Sequence, residues 1–311
     1  MSSATASVPV VNLDVASADE VVQALIDGSC MYITGHHVDE QLLDEMIEAS
    51  VRFFNLPRSQ KELVLWDGEG IWHGWQPDGA ESTSAEVGTP ANLVEWYMVN
   101  EVESFTKWPT EPANFADVWT RYYLTMRALS SRVVRSVAEG LGLASDGLDA
   151  WTDRQFANLC VNHYPAQVSP PLPGQVRLSL HTDESAITVL TATDAPGGLQ
   201  VRIPNTGVWT PVELRPGTYL VQAGDLIERW TNRRIRASIH RVVNPPPEAA
   251  GTSMRDTLVY FHFPALDTVV APSVARGETV DGEPKFEPIV ARDHILARQE
   301  KYVVPQPNDT P

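Results

Sequence analysis

The run His181-Thr182-Asp183-Glu184-Ser185-Ala186-Ile187-Thr188-Val189-Leu190 decides how this chain is interpreted. An imidazole and a carboxylate stand two residues apart at its start, and a β-rich stretch follows them. Residues two apart in a strand leave the same face of a sheet, so we expect His181 and Asp183 to point the same way. The pair therefore predicts two ligands of a metal site, with the missing ligand on another strand.

The same spacing occurs at His37-Val38-Asp39, so the pattern alone does not identify the site. Asp39 stands where it can cap a following helix, and no β-rich segment with a further histidine and an arginine follows at a suitable distance. After His181, by contrast, His240 lies in a later β-rich run that a closed barrel can bring beside it. Two histidines and one carboxylate are the ligand set of iron(II) oxygenases, because they leave positions open for substrate and oxygen. We therefore predict that His181, Asp183 and His240 bind iron(II).

A second group of polar residues suggests an anion site. Arg255 and Thr257 share a strand face, where a guanidinium can fork onto a carboxylate and a hydroxyl can add another hydrogen bond. Such a pair suits the distal carboxylate of 2-oxoglutarate. The alternative is an ordinary strand arginine that forms a salt bridge with one of the 40 acidic side chains of the protein. Asn162 and Tyr164 offer an amide and a phenol to the same ligand. The alternative is a buried tyrosine bonded to a backbone carbonyl.

Composition limits the partners. Acidic residues outnumber basic ones 40 to 23 in the 311 residues, and the formal charge of −17 opposes binding to nucleic acid or anionic membranes. The same charge also simply keeps a protein soluble. Cys30 and Cys160 are too few for a disulfide framework or a thiolate zinc site, and no apolar stretch approaches the ~20 residues of a membrane span. We expect a cytoplasmic protein that acts on a small molecule.

Local patterns predict a mixed N-terminal third and a β-rich centre. Ser17 and Glu20 have capping-box spacing at the start of a helix that stops at Gly28. Further helices are predicted at 41–54, 115–141 and 293–302, and a strand at 30–34. Residues 65–114 suggest long loops or short edge strands. Short β-rich runs follow at 156–164, 186–192, 199–203, 218–222, 238–243 and 257–263, which indicates a barrel or sandwich.

Together these residues resemble the isopenicillin N synthase-like branch of the iron(II)/2-oxoglutarate oxygenases. The resemblance covers most of the chain and rests on the run 181–190 and on Val8-Pro9-Val10-Val11-Asn12-Leu13, Phe53-Phe54-Asn55-Leu56-Pro57, Asn162-His163-Tyr164-Pro165, Gly197-Gly198-Leu199-Gln200-Val201 and His240-Arg241-Val242. It implies a mainly β fold with flanking helices and a double-stranded β-helix, or jelly-roll, core. One oxygenase domain, 1–311, would comprise a mixed helical part (1–150), the jelly-roll core (151–270) and a C-terminal segment with a helix (271–311).

The resemblance also implies roles for single residues. His181, Asp183 and His240 would hold iron, and Arg255 with Thr257 would anchor 2-oxoglutarate, which is consumed with O2. Asn162 and Tyr164 fall on positions that assist this anchor. The chain departs from the family at three positions, where a serine, a turn glycine or aspartate, and another serine are usual: Thr257, Arg233 and Ala237.

Hydroxylation of a natural-product intermediate or amino-acid derivative is the activity that the resemblance favours, with desaturation and cyclisation as other outcomes. Asp183 is a carboxylate and not an alanine or glycine, which disfavours a halogenase. Some members of the family, such as isopenicillin N synthase, keep the arginine motif yet do not use 2-oxoglutarate. An iron-dependent oxidase of that type and a non-catalytic ligand-binding module are therefore the alternatives.

The residues that select the substrate are less evident. Arg177 precedes His181 by four positions and could bind a substrate carboxylate or pair at the barrel rim. The C-terminal helix and a tryptophan-rich segment could cover the pocket, although tryptophans are also frequent in cores. The tryptophans in question are Trp66, Trp72, Trp75 and Trp96.

Overall fold

Two β-sheets with flanking helices make up the protein in the computed structural model, which describes residues 7–82, 90–143, 148–213, 215–272 and 284–302. The strands are β1 (Val10–Asn12), β2 (Cys30–Thr34), β3 (Gly74–Gln76), β4 (Glu95–Asn100), β5 (Phe156–Tyr164), β6 (Leu178–His181), β7 (Ile187–Ala192), β8 (Gly198–Arg202), β9 (Trp209–Pro211), β10 (Tyr219–Ala223), β11 (Ile239–Val243), β12 (Arg255–Phe263), β13 (Val269–Val270) and β14 (Ile289–Val290). The α-helices are α1 (Ala18–Gly28), α2 (Glu40–Phe54), α3 (Arg58–Lys61), α4 (Phe115–Gly140), α5 (Asp149–Thr152), α6 (Asp225–Trp230) and α7 (Ala291–Gln299), with 3₁₀ turns at Glu62–Val64 and Pro247–Thr252.

The larger sheet has eight strands in the order β1-β2-β10-β7-β12-β5-β4-β3, and the smaller has four in the order β6-β11-β8-β9. One apolar cluster joins side chains of both sheets, among them Leu190 and Val259 of the larger and Leu199 and Val242 of the smaller. The two sheets therefore face each other across a shared core, as a barrel or sandwich requires. A small two-stranded sheet pairs β13 with β14.

Helix α4 covers the other face of the larger sheet together with α1 and α2. It buries the stripe that its sequence spacing predicts, at Val118, Tyr122, Met126, Leu129, Val133 and Val137. Burial of each large apolar side chain stabilises the fold by roughly 1.5–3 kcal/mol, and the stripe as a whole fixes the helix on the sheet. The predicted class, mainly β with flanking helices, is confirmed in this architecture.

The local predictions about helix starts are also confirmed. Ser17 and Glu20 form the complete capping box of α1. Asp39 caps α2, where its Oδ1 accepts a hydrogen bond from the Gln41 N–H at 2.9 Å. The His37 ring lies 2.8 Å from an Asp14 carboxylate oxygen, with 71% of the His37 side chain exposed. His37 and Asp39 therefore belong to a helix start and a surface ion pair.

Some elements differ from expectation. The 65–114 region contributes β3 and β4 to one edge of the larger sheet, which confirms the short-edge-strand alternative. Helix α6 was not predicted, since its six residues are too few to show a periodic pattern. The C-terminal helix runs over 291–299 and not 293–302. Within the described ranges, no helix has both the length and the apolar character to cross a membrane.

Candidate active site

His181 and His240 face each other across two paired strands. His181 is the last residue of β6, and it lies opposite His240 of β11 in the antiparallel register. The two ring centroids are 4.2 Å apart. Asp183 Oδ1 lies 3.6 Å from Nε2 of each ring. One cation bound about 2.1 Å from two atoms spans up to about 4.2 Å between them, so these separations suit a shared ion.

Asp183 does not lie in a strand, contrary to the prediction that both residues of the pair share one, because β6 ends at His181. Backbone hydrogen bonds from the start of α6 hold the loop instead: Asp225 N donates to Asp183 O at 2.8 Å and Leu226 N donates to Ser185 O at 3.0 Å. A Cβ at Gly224 would meet Ser185 O at 2.1 Å, so this close approach requires glycine.

Each imidazole is oriented by a carbonyl two residues before it. Nδ1–H of His181 donates to Ser179 O at 2.8 Å, and Nδ1–H of His240 donates to Ser238 O at 3.0 Å. The Nε2 lone pairs are thereby left to face Asp183. Burial, followed by the neighbouring His240, holds the pKa of His181 well below its usual value. A neutral imidazole is the form that binds a metal.

The second oxygen of Asp183 is held by a hydroxyl. Thr188 Oγ1 donates to Asp183 Oδ2 at 2.5 Å, and Thr188 Oγ1 is itself 3.0 Å from Ser185 Oγ. Asp183 is only 4% exposed and Thr188 is fully buried. The carboxylate is thus fixed with Oδ1 turned toward the two rings. His181, Asp183 and His240 form a group of ligand atoms within 4.8 Å of one another, as a metal site requires.

The predicted anchor residues line a cavity that the three residues also line. In the β5–β12 ladder, Arg255 pairs with Tyr164 and Thr257 pairs with Asn162, so all four side chains reach this cavity. Arg255 is 5% exposed, and no carboxylate of the described residues forms an ion pair with it. Burial lowers the pKa of Arg255 from its usual value, because desolvation disfavours its charge. A buried guanidinium that forms no ion pair with a described residue, beside a candidate metal site, is the arrangement that an anionic ligand would complete.

Comparison with known proteins agrees with this arrangement. Residues 156–264 match the model of the 2OG-Fe(II) oxygenase superfamily, and residues 8–119 match that of the non-haem dioxygenase in morphine synthesis N-terminal region. A 2-oxoglutarate-dependent dioxygenase, frbA of Dothideomycetidae sp. (strain 11243), is 31% identical over 76% of this chain and 77% of the relative. The chain belongs to the 2OG-Fe(II) oxygenase superfamily. Iron(II) is its metal and 2-oxoglutarate its co-substrate.

Further similarity covers nearly the whole oxygenase. Homoarginine-6-hydroxylase 2-ODD-233 of Oryza sativa subsp. japonica is 26% identical over 90% of this chain and 88% of the relative. The crystal structure of a full-length Neurospora crassa protein in complex with alpha-KG superimposes with a TM-score of 0.82 at 25% identity, covering 96% of this chain and 98% of that one. The crystal structure of the dioxygenase for auxin oxidation in rice superimposes with a TM-score of 0.75 at 25% identity, covering 94% of this chain and 95% of that one. The predicted double-stranded β-helix is thereby confirmed.

Apolar side chains enclose the anchor cavity of the oxygenase. The walls between the metal residues and Arg255 are formed by Leu178, Leu190, Leu199, Val242 and Val259. Gln222 also lines this cavity, and its buried Oε1 has no hydrogen-bond partner among the described atoms. Neither Gln222 nor Thr188 was predicted from the sequence. Gln222 reaches the site through the pairing of β10 with β7, and Thr188 reaches it through the turn between Asp183 and β7.

The tryptophan-rich segment of the oxygenase divides between two environments. Trp72 and Trp96 line a second cavity, which His181 and Asp183 also line. Trp75 lies in the core at 2% exposure, and its Nε1 donates to Glu95 Oε2 at 2.8 Å. Trp72 and Trp96 thus line a cavity, whereas Trp75 packs in the core.

Arg177 is engaged with backbone groups. Its guanidinium donates to Ser253 O, to Ser253 Oγ at 3.0 Å and to Pro196 O at 3.2 Å, and the side chain is fully buried. Arg177 is not among the residues that line either cavity beside the metal residues. Its position favours the alternative in which it ties loops at the barrel rim, and it gives no support to a role in substrate binding.

The remaining departures from the family lie on the outer side of the smaller sheet. A cavity of about 610 Å³ there is lined by Thr182, Ile239, Arg233 and Ala237. None of His181, Asp183 and His240 lines this cavity, and Ile239 leaves the face of β11 opposite to that of His240. Arg233 adopts φ +74°, the left-handed conformation that explains why glycine is usual at this turn. Its Nε donates to Glu228 Oε1 at 2.8 Å, which offsets part of the strain.

Proposed function

We propose that His181, Asp183 and His240 are the iron(II) ligands of this oxygenase. Arg255 and Thr257 anchor 2-oxoglutarate with help from Asn162 and Tyr164. The reaction is the hydroxylation of a small molecule, such as a natural-product intermediate or an amino-acid derivative. The sheet that joins strands of the N-terminal part to those of the core supports treating 1–311 as one oxygenase domain.

The observation that carries the anchor assignment is the unpaired charge of Arg255. A buried ion without a partner costs several kcal/mol, and a bidentate carboxylate removes most of that cost. Thr257 lies two residues further along the same strand face and offers a hydroxyl to the same carboxylate. The apolar walls between Arg255 and the metal residues match a dicarboxylate with a short aliphatic middle.

The protein contributes placement and exclusion of water. Iron(II), when bound, supplies the activation of oxygen that is coupled to decarboxylation of 2-oxoglutarate. The two imidazoles and Asp183 would hold the ion, and three protein ligands would leave its other positions for the co-substrate and oxygen. Thr188 keeps one carboxylate oxygen away from the ion. The apolar walls keep bulk water from the reacting atoms, which protects reactive species from side reactions.

Binding of 2-oxoglutarate tests the anchor. The Kd is measured by calorimetry on the iron(II)-loaded full chain without oxygen. Arg255→Ala should raise this Kd about 100-fold or more, since loss of one partner of a buried charged pair costs about 3 kcal/mol. Arg255→Lys should lie between, because an ammonium is a point charge without the planar fork. Arg202→Ala removes an exposed strand arginine and is the matched control. An Arg255→Ala affinity equal to wild type would place the anchor elsewhere.

Metal binding and turnover test the ligands. His181→Ala and Asp183→Ala should each abolish iron(II) binding and succinate formation, while His37→Ala, which changes the other H-x-D histidine, should leave both intact. Full activity in both ligand variants would refute the assignment. Iron binding without 2-oxoglutarate binding would instead indicate an oxidase of the isopenicillin N synthase type. A wild-type chain that neither binds iron(II) nor forms succinate would indicate a non-catalytic ligand-binding module.

A further inference from the structure

A second cavity beside the metal residues, which Arg255 does not line, carries features that the proposed function does not use. His181 and Asp183 line it at one end. Side chains from either side of β3, from β4 and from beyond α7 also line it, so it is built from parts of the chain far apart in sequence. A molecule bound there would lie next to the metal ligands. The inference below rests on the proposed function, because it assigns this cavity to the substrate.

Glu81 places a buried carboxylate in this cavity. The residue is 6% exposed, and Trp96 Nε1 donates to its Oε2 at 3.3 Å. No ion pair of Glu81 with a described lysine, arginine or histidine occurs. Burial raises the pKa of Glu81 to about 7, since its charged form is poorly solvated and only neutral donors face it. Glu81 thus accepts hydrogen bonds from the side chains of Trp96 and Asn92 and has no cationic partner among the described residues.

Two further polar groups of the cavity are unsatisfied. Asn158 is 1% exposed and its Oδ1 has no hydrogen-bond partner among the described atoms. Tyr302 is 7% exposed and its hydroxyl is likewise unpartnered within the described chain. Buried polar groups are nearly always hydrogen-bonded in folded proteins. The two groups therefore have hydrogen-bonding capacity that no described residue uses and that a bound molecule can complete.

The walls of the cavity are flat and aromatic. Trp72 and Trp96 stack with ring centroids 5.4 Å apart and an interplanar angle of 22°. The Tyr302 ring lies 6.2 Å from the Trp72 ring. Indole faces attract cations and pack well against planar groups. Of the residues that line this cavity, none in the described chain is a lysine or an arginine, whereas Glu81 and Glu184 are acids.

We propose that this cavity is the substrate site and that it selects a flat small molecule with an N–H donor. Glu81 accepts the hydrogen bond from that N–H, and Trp72 and Trp96 pack on the planar part of the molecule. Two kinds of donor share this chemistry, a protonated nitrogen such as an amidinium or guanidinium and a neutral amide or ring N–H. A carboxylate-bearing end has no cationic side chain to pair with among the described residues that line this cavity and is disfavoured there. Glu81 is a specificity-determining residue on this assignment.

Three probes of nearly the same shape test the proposal. Benzamidine is a flat cation with N–H donors, benzamide is a neutral flat donor, and acetophenone is flat with no N–H. Their dissociation constants are measured by tryptophan fluorescence on the full chain loaded with iron(II) and 2-oxoglutarate without oxygen. We expect benzamidine or benzamide to bind at least about tenfold more tightly than acetophenone, the range typical of one charged or well-placed buried hydrogen bond. Benzamidine tighter than benzamide selects the cationic source, and equal affinities select the neutral one.

Glu81→Gln keeps an acceptor for the Trp96 N–H and removes the charge. It should weaken benzamidine binding about tenfold or more and narrow the gap to acetophenone, with the Kd for 2-oxoglutarate unchanged as the measure of an intact fold. Glu48→Gln, an exposed glutamate on α2, is the matched control and should change neither Kd.

Acetophenone binding as tightly as both N–H donors in the wild-type chain would overturn the proposal, as would benzamidine binding that Glu81→Gln leaves unaltered. The wild-type ranking decides the matter if the variant does not fold. Failure of all three probes to bind while 2-oxoglutarate still binds refutes this inference alone. Failure of 2-oxoglutarate to bind to the wild-type iron protein refutes the proposed function.

Discussion

Thr188→Val is the substitution that most directly tests how the protein positions the proposed metal ligands. The change replaces a hydroxyl by a methyl group of similar size and removes the donor that holds Asp183 Oδ2 at 2.5 Å. Asp183 is 4% exposed, so water does not readily replace this hydrogen bond. The carboxylate then loses the contact that keeps Oδ1 facing the two imidazoles.

The expected magnitude follows from this geometry. A hydrogen bond to a charged group contributes about 1.5–3 kcal/mol, and loss of a partner that orients a metal ligand typically costs about 10- to 100-fold in metal affinity. We therefore expect the Kd for iron(II) to rise by roughly 10- to 100-fold in Thr188→Val. Without metal, the free energy of unfolding should fall by about 1–3 kcal/mol, because a buried oxygen is left unpaired.

The assay is calorimetric titration of the metal-free full chain with iron(II) in the absence of oxygen, together with urea unfolding. Thr191→Val is the matched control, since it makes the same change on the same strand at a residue with no hydrogen bond to Asp183. An iron(II) Kd in Thr188→Val within twofold of wild type would refute the reasoning. An equal rise in Thr191→Val would show that the strand, and not the hydroxyl, is responsible.

Three further predictions concern stability. His262 is fully buried, and desolvation is the main reason why its pKa is lowered to about 4, so its stabilising contribution is complete above about pH 6.5 and declines as the pH falls toward 4. The free energy of unfolding should therefore drop by up to roughly 3 kcal/mol between pH 6.5 and pH 4. The measurement is urea unfolding at several pH values, and a His262→Gln variant whose free energy of unfolding has the same pH dependence as the wild type would contradict the prediction. Asp256→Ala should lower the free energy of unfolding by about 2–4 kcal/mol, because the buried His163 ring, which lies 2.6 Å from the Asp256 carboxylate, loses its hydrogen-bond partner. Chemical denaturation measures this change, and a decrease below about 1 kcal/mol would contradict the prediction. Arg177→Ala should lower the denaturant midpoint of unfolding, because the contacts to Ser253 are lost, and should leave the Kd for 2-oxoglutarate unchanged. A large rise in that Kd would instead indicate that Arg177 takes part in binding.

Local sequence signals predicted most of the elements but placed some boundaries imperfectly. The strand over 156–164 agrees with β5, and the long helix differs from α4 by one residue at its end. These predictions succeed because side-chain periodicity and capping act over a few residues. The short helix α6 escaped prediction, since it depends on backbone contacts with the loop after His181 and not on a pattern of its own.

The ligand chemistry of the site was also legible in the sequence. His181, Asp183, His240 and Arg255 were singled out by residue type and spacing, and the structure brings them to one cavity. The position of Asp183 outside the strand was not predicted from the sequence. It depends on how the start of α6 approaches the loop, which is a contact between segments separated by some 40 residues.

The sequence by itself therefore determined which residue types were available for chemistry and which local elements they occupy. The tertiary structure decided the geometry of the predicted site, because the pairing of β6 with β11 sets His240 against His181, whereas His37 lies on the surface. It also brought Glu81 to the cavity beside the metal residues. Such contacts depend on strand register and chain crossing, and a linear pattern of residues does not encode them in any short window.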